Sequence, residues 1–172
     1  MNKVRMITLF FLCALMTQAC GYRFAGSGAL PDNIKSIFIE VFKNHTSKAG
    51  VERVVTNQLI FEFTRQREKI LTNDANNADA TLKGDIKKIR SRTISRIGTE
   101  VANQREVIMT IDLKLINKSG DVIWSANALS DSQAYDVSDD SKLENDRAES
   151  IAISRLSERM SERIFNRLTD DF

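Results

Sequence analysis

The chain has 172 residues, with 25 lysines and arginines against 23 aspartates and glutamates, one histidine and two cysteines. This length suits one domain of ordinary size that can bury a hydrophobic core. The presence of only one histidine argues against a histidine-dependent catalytic triad and against a histidine-rich metal centre. We therefore expect a protein that works by binding and is not an enzyme, and we expect no metal site.

Residues 1–19 are built like a removable secretory signal. Lys3 and Arg5 form a cationic start, and the apolar run at 6–16 would cross only about half of a bilayer core as a helix. A small residue then precedes Cys20, which is typical of bacterial lipoproteins. The pattern predicts a Cys20 that carries N-acyl and S-diacylglycerol groups, with no other cofactor. The alternative is an ordinary secreted protein with a free thiol.

Residues 20–33 predict an irregular tether, because they hold three of the seven glycines and the only proline. A single domain is expected to follow at 34–172. Its first predicted strand is 36–42, which is rich in β-branched and aromatic residues. The predicted faces of this strand are Ile37, Ile39 and Val41 on one side and Phe38 and Phe42 on the other.

Two amphipathic helices are predicted at 50–67 and 146–168, where apolar residues recur every four positions. The predicted buried stripes are Val51, Val55, Leu59 and Phe63 in the first helix, and Ala148, Ala152, Leu156, Met160, Ile164 and Leu168 in the second. Ile151 and Phe165 are expected to flank the second stripe, and Glu62 is expected on the solvent side of the first helix.

Three strands are predicted between the helices, at 81–96, 106–116 and 121–128, and the pattern of the last is compatible with an extension to Tyr135. In the first of these strands the apolar residues change parity near Lys87 and Lys88, which indicates a β-bulge or a bend. Residues 117–120 (Asn-Lys-Ser-Gly) predict a hairpin turn. The last strand is predicted to point Val122, Trp124, Ala126 and Ala128 inward.

The predicted order of elements is β-α-β-β-β-α. Three consecutive strands with short links favour antiparallel pairing, and the first strand must join them by a crossover through the first helix. Both amphipathic helices can then cover the same side of the sheet. The predicted fold class is α+β, a two-layer sandwich with two α-helices packed on one face of a four-stranded mixed β-sheet.

Basic side chains are concentrated at the far end of the strand at 81–96. Arginines and lysines in a row can bind phosphates or carboxylates through charge-assisted hydrogen bonds. The candidate ligand-binding residues are Lys87, Lys88, Arg90, Arg92 and Arg96. The alternative is a solvated strand edge, where such residues discourage aggregation. Nucleic acid is not the expected ligand, because an exported and lipid-anchored chain rarely meets it.

Two polar segments carry residue types that also occur in metal or catalytic sites. The acidic loop at 136–145 lacks the glycine and the alternating oxygen ligands of a calcium-binding EF-hand. His45 lies in a polar turn and is expected to be a solvated turn residue. Neither segment predicts a metal or catalytic centre.

Several segments, in their order and spacing, resemble the LptE family of lipopolysaccharide-assembly lipoproteins. They are Cys20-Gly21-Tyr22, the strand that ends in Asn44-His45-Thr46, the helix start Gly50-Val51-Glu52, and the hairpin Gly120-Asp121-Val122-Ile123-Trp124. The resemblance covers almost all of residues 20–168. It implies a lipid-anchored protein on the periplasmic side of the outer membrane, with two helices against a four-stranded sheet.

The resemblance also implies a function and partners. Members of this family are not enzymes; they plug a large β-barrel translocon, LptD, and help it to assemble lipopolysaccharide into the outer leaflet. Their lipopolysaccharide contacts are basic residues, which fits the basic strand. An alternative remains open, in which the chain is a stand-alone periplasmic carrier of an anionic lipid. A hydrolase with an unusual site has little support from the residues present.

Overall fold

A computed structural model of the chain describes residues 34–67, 70–94, 104–137 and 141–170. The elements in chain order are β1 (Ile37–Ile39), β2 (Lys43–Asn44), α1 (Val51–Arg67), β3 (Ala80–Ile94), β4 (Gln104–Asn117), β5 (Val122–Asp136) and α2 (Lys142–Asp170). The predicted signal at 1–19, the tether at 20–33 and Arg96 lie outside the described residues.

The strands form one mixed sheet in the order β1-β3-β4-β5, with β2 also beside β3. β1 and β2 run parallel to β3, as a crossover through α1 requires, whereas β3, β4 and β5 pair antiparallel. The hairpin turn closes where predicted, because the Gly120 N–H donates to the Asn117 carbonyl over 3.0 Å. The predicted α+β class and element order are therefore confirmed, although the first predicted strand, 36–42, is regular only over β1, and the short β2 follows just beyond its predicted end.

The hydrophobic core lies between the helices and one face of the sheet. Alternate residues of β4 from Val107 to Leu115 are fully buried, as the alternation predicted. The predicted stripes of both helices join them in one cluster, apart from Ala148, which is half-buried at the end of its stripe. Phe63 of α1 meets Phe165 of α2 edge to face, with ring centroids 4.9 Å apart. These contacts hold both helices on the same side of the sheet.

The face assignment of the first strand was wrong beyond Ile39, because Val41 is exposed and Phe42 is buried. Lys43 lies four positions after Ile39, but their partners Leu82 and Asp85 lie only three positions apart, so an extra residue reverses the alternation. Phe42 packs against Gly84, where a Cβ atom would lie 2.5 Å from its ring. The Phe42 N–H donates to the Thr56 hydroxyl of α1 over 3.1 Å.

The predicted bulge in the second long strand is confirmed between Ile86 and Lys88. Before the bulge, the even-numbered residues Leu82 and Ile86 face the core. After it, the odd-numbered residues take that side, and Ile89 pairs with the buried Met109. The bulge therefore turns the later even-numbered residues of β3 away from the helices.

The inward assignments on β5 held for Trp124 and Ala126 but were wrong for Val122 and Ala128, which are exposed. Ile111 pairs with Leu129 and Leu113 with Ala126, so β5 carries an extra residue at this point. Ala128 adopts a left-handed backbone with φ of 52°, and its N–H donates to the Asp112 carboxylate over 2.7 Å. A second register shift near Val122 reverses the alternation at the start of the strand as well, so that Val122 also points outward.

The second helix begins at Lys142, four residues before its predicted start. The Ser141 hydroxyl accepts a hydrogen bond from the Glu144 N–H over 3.3 Å, which caps the first turn. Along the helix, Phe165 is buried as predicted, but Ile151 is exposed.

Glu62 of α1 was placed on the wrong side, since it is buried. Its carboxylate accepts hydrogen bonds from Arg65 over 2.7 Å and from Gln66 over 3.1 Å. Arg65 also donates to Glu162 of α2 over 3.3 Å. A carboxylate that is paired in this way can be buried, because its hydrogen bonds offset the cost of removing it from water.

Asp79 ties the segment before β1 to the start of β3. Its carboxylate accepts hydrogen bonds from the Lys118 ammonium and from the Lys35 and Ser36 N–H groups, all at 3.0–3.1 Å. These bonds, with that of Lys118 the strongest cause, lower the pKa of Asp79 from 3.8 to about 2. The folded protein therefore binds fewer protons here than the unfolded chain between those two pH values.

We predict that Asp79→Asn lowers the free energy of unfolding at neutral pH. The difference from wild type should shrink as the pH falls through 3.8 towards about 2, because the wild-type carboxylate then becomes protonated and loses its advantage. Urea unfolding of both proteins across this interval measures the difference. A gap that stays constant with pH would show that the ionised carboxylate is not the cause.

Candidate functional site on the open face of the sheet

The face of the sheet that points away from both helices, here called the open face, carries most of the charged residues of the sheet. On β4 it presents the even-numbered residues, which alternate with the buried core positions. Of these, Glu106, Thr110 and Asp112 stand directly opposite Arg92, Lys88 and Asp85 of β3. The open face is therefore a polar surface that two long neighbouring strands build together.

Four of the five candidate cations predicted from the sequence lie together on this face. Lys88, Arg90 and Arg92 follow the β3 bulge on alternate positions, and Lys87 stands at the bulge itself. All four are exposed to solvent. We call Lys87, Lys88, Arg90 and Arg92 the basic strip. The fifth candidate, Arg96, lies outside the described residues, so its position relative to the strip stays a prediction.

The members of the basic strip differ in how strongly they are held. Arg92 donates through Nε to the Glu106 carboxylate, and Lys87 stands 3.9 Å from the carboxylate of Asp112. Lys88 and Arg90 have no side-chain hydrogen bond or ion pair to any residue in the described parts of the chain. Among the described residues, no carboxylate would therefore have to be displaced before an incoming anion meets Lys88 and Arg90.

Two acidic residues of the open face are held in their ionised form. Hydrogen bonds from Arg92, and then from the Ser132 hydroxyl, lower the pKa of Glu106 below its ordinary value. His45 lies 2.9 Å from Asp85 and similarly lowers the pKa of that carboxyl group. His45 was expected to be a solvated turn residue; it is half-exposed, and it bridges the end of β2 to β3.

Three lysines that were not among the candidate residues lie at the opposite end of the open face. Lys43 of β2, Lys83 of β3 and Lys114 of β4 surround a cavity of about 200 Å³, with Val41 and Ile116 as apolar lining. Lys83 forms an ion pair with Glu40 at 3.1 Å. Lys114 occupies an outward position in the alternating strand, but only the pairing of β3 with β4 shows that it stands opposite Lys83.

Other kinds of site find little support in the described residues. Across residues 34–67, 70–94, 104–137 and 141–170, no three His, Cys, Asp or Glu side chains are grouped so that they could hold a metal ion. In the same ranges, neither helix is both long and apolar enough to cross a membrane. Cys20, the predicted lipid-bearing residue, lies outside them. The basic strip is therefore the principal candidate site.

Solved structures share this fold at low sequence identity. A minor lipoprotein from Acinetobacter baumannii matches with a TM-score of 0.54 at 14% identity, over 80% of this chain and 93% of that one. An uncharacterized lipoprotein B from Nitrosomonas europaea gives 0.56 at 12%, over 87% and 90%. The rare lipoprotein B from Shewanella oneidensis gives 0.51 at 15%, over 78% and 95%. At such identities the likeness concerns the fold alone.

Sequence comparison adds a more specific result. No curated protein sequence matches the chain. The model of the LptE family, described as lipopolysaccharide-assembly, matches residues 34–168, which include every strand and almost all of both helices. The chain therefore belongs to the LptE family of lipopolysaccharide-assembly proteins.

Proposed function

We propose that this chain is the lipid-anchored partner of an outer-membrane β-barrel translocon of the LptD type. In this role it plugs the barrel and helps it to assemble lipopolysaccharide into the outer leaflet, without carrying out enzyme chemistry. The observation that carries the proposal is the family match over residues 34–168, together with the lipoprotein-like pattern that ends at Cys20.

The fold suits a protein that must keep its shape inside a larger one. Three strands of 14 or 15 residues pair along almost their whole lengths, and a helix of 29 residues lies across them. Arg159 and Arg163 of this helix both reach Asp131 of β5 at 3.3 Å, which fixes the helix to the outer strand of the sheet. A well-packed body of this kind can fill a cavity without being reshaped by it.

We further propose that Cys20 carries the acyl groups and holds the protein at the periplasmic side of the outer membrane. A diacylglycerol and an amide-linked acyl chain provide more than one hydrophobic anchor, which is what stable membrane attachment requires. Mass measurement of the N-terminal peptide tests this assignment. An acylated Cys20 supports it, and an unacylated N-terminus upstream of Cys20 contradicts it.

We propose that the basic strip contacts lipopolysaccharide directly, through the phosphates of lipid A. Lys88 and Arg90 are the first expected contacts, since the described residues supply no carboxylate to either of them. Lys87 follows, because its ion pair with Asp112 is long at 3.9 Å. Arg96 stays in the candidate set on its sequence position alone.

Depletion of the protein in its own cells tests the proposed partnership. We expect the amount of folded barrel in the outer membrane to fall and lipopolysaccharide to disappear from the cell surface, because the barrel would lose its assembly partner. Restoring the wild-type chain should reverse both effects. Normal barrel levels and normal surface lipopolysaccharide after depletion would contradict the proposal.

The exposure of Lys88 and Arg90 also supports a second candidate, a stand-alone periplasmic carrier of an anionic lipid. Such a carrier could use the same basic strip without a barrel. It should form a salt-sensitive complex with lipopolysaccharide or an anionic phospholipid, because exposed charges are screened by added ions. Under this alternative, depletion would leave the barrel unchanged, so the same experiment separates the two.

A further inference from the structure

Glu106 is an acidic residue of β4 that lies directly beside the basic strip. It stands opposite Arg92 in the pairing of β3 with β4, and its side chain is only 12% exposed. Arg92 Nε donates a hydrogen bond to its carboxylate, and this bond, followed by the effect of the nearby Ser132 side chain, lowers its pKa below the ordinary value. Glu106 is therefore a fixed negative charge at the place where an anionic ligand is expected.

The geometry leaves part of Arg92 available to a ligand. The guanidinium side chain is 69% exposed, and within the described residues its hydrogen bond to Glu106 uses Nε only. Its two terminal nitrogens can therefore still reach a phosphate, but the charge of Glu106 offsets that of Arg92. Replacing this carboxylate with a neutral group of the same shape would release one full positive charge into the strip.

We propose that Glu106 is an internal counter-charge that weakens the binding of phosphate-bearing amphiphiles by the basic strip. This inference rests on the proposed function, and in particular on the binding of a phosphate at Lys88 and Arg90. A protein that passes a ligand onward must bind it well enough to accept it and weakly enough to release it. Glu106 lowers the affinity by neutralising Arg92 and by repelling the ligand, and it stays ionised while doing so.

The test compares Glu106→Gln with wild type in full-length protein in neutral detergent, titrated with fluorescently labelled lipopolysaccharide. Glutamine keeps an oxygen that can accept the hydrogen bond of Arg92 Nε, so the local geometry is retained while the charge is lost. We expect about three- to tenfold tighter binding and a steeper loss of affinity with added salt, because one more cation faces the ligand. Glu106→Met, of similar size, replaces it if the glutamine variant does not fold.

Glu158→Gln is the matched control, because it removes the same charge from an exposed position on α2. We expect this variant to bind as wild type does. If Glu106→Gln binds no more tightly than Glu158→Gln while wild type does bind, Glu106 is only a structural partner of Arg92 and the inference is overturned. If wild type binds neither lipopolysaccharide nor an anionic phospholipid in the same detergent, the proposed ligand site fails, and the inference fails with it.

Discussion

Replacement of Met109 with aspartate is expected to unfold the protein. Met109 is fully buried at the centre of β4, on the face that the helices cover. Losing a buried methionine side chain costs about 2–5 kcal/mol, and burying an unpaired carboxylate adds a further penalty. The total destabilisation is comparable to the free energy of unfolding of a typical domain, which is about 5–15 kcal/mol. Circular dichroism should show no cooperative melting transition.

Thr110→Asp is the control for this prediction. Thr110 is the next residue of the same strand, lies on the open face, and stands opposite Lys88. The same carboxylate there can reach solvent and a lysine, so the variant should melt close to wild type. A normal transition for Met109→Asp would mean that the face assignment of β4 is wrong.

The second large effect is expected from reversing the charge of two cations that have no partner among the described residues, in the double variant Lys88→Glu with Arg90→Glu. We predict that lipopolysaccharide binding falls on the order of 10- to 100-fold, because two attractive contacts become repulsive while solvent screens part of the change. Thermal stability should stay close to wild type, since neither side chain has a partner among the described residues. Titration with labelled lipopolysaccharide at low salt measures the loss.

The control carries the same change of charge on the helical side of the protein. Arg53→Glu with Arg155→Glu alters two exposed arginines, one on each helix. We expect little change in binding, because neither residue belongs to the open face. Equal losses in the two double variants would indicate a general charge effect and would remove the site assignment.

Much of the fold could be predicted from the sequence, because its signals are local and regular. The four-residue repeats from Val51 to Phe63 and from Ala152 to Leu168 are the buried stripes of two helices. The alternation in β4 gave its faces, and the parity change near Lys87 gave the bulge. The early start of α2 was also predictable, since Ser141-Lys142-Leu143-Glu144 has the pattern of a capping box.

Two of the wrong face assignments on the strands share one physical cause. At each of them, the extra residue that reverses the strand is stabilised by a distant part of the chain, which a local pattern does not show. Phe42 turns inward because Gly84 leaves room for its ring. Ala128 turns outward because Asp112 accepts its N–H. These bulges depend on tertiary contacts. A face assignment made from the alternating pattern alone therefore continues unchanged through them and becomes wrong.

The candidate site was predictable only in part for a related reason. The cations of β3 follow one another in the sequence, and their row was visible there. Which of them are free depends on residues across the sheet, since Arg92 is held by Glu106, whereas no described residue pairs with the side chain of Lys88. Lys43 and Lys114 join the same face only through strand pairing. Strand register, not composition, decides which charges can meet a ligand.

The central claim is that this member of the LptE family works as the partner of an outer-membrane barrel. The most direct test is to purify the acylated chain from native outer membranes in mild detergent and to identify its companions by mass spectrometry. We predict a large β-barrel protein of the LptD type in an amount comparable to the chain itself. Recovery of the chain without such a barrel would contradict the account.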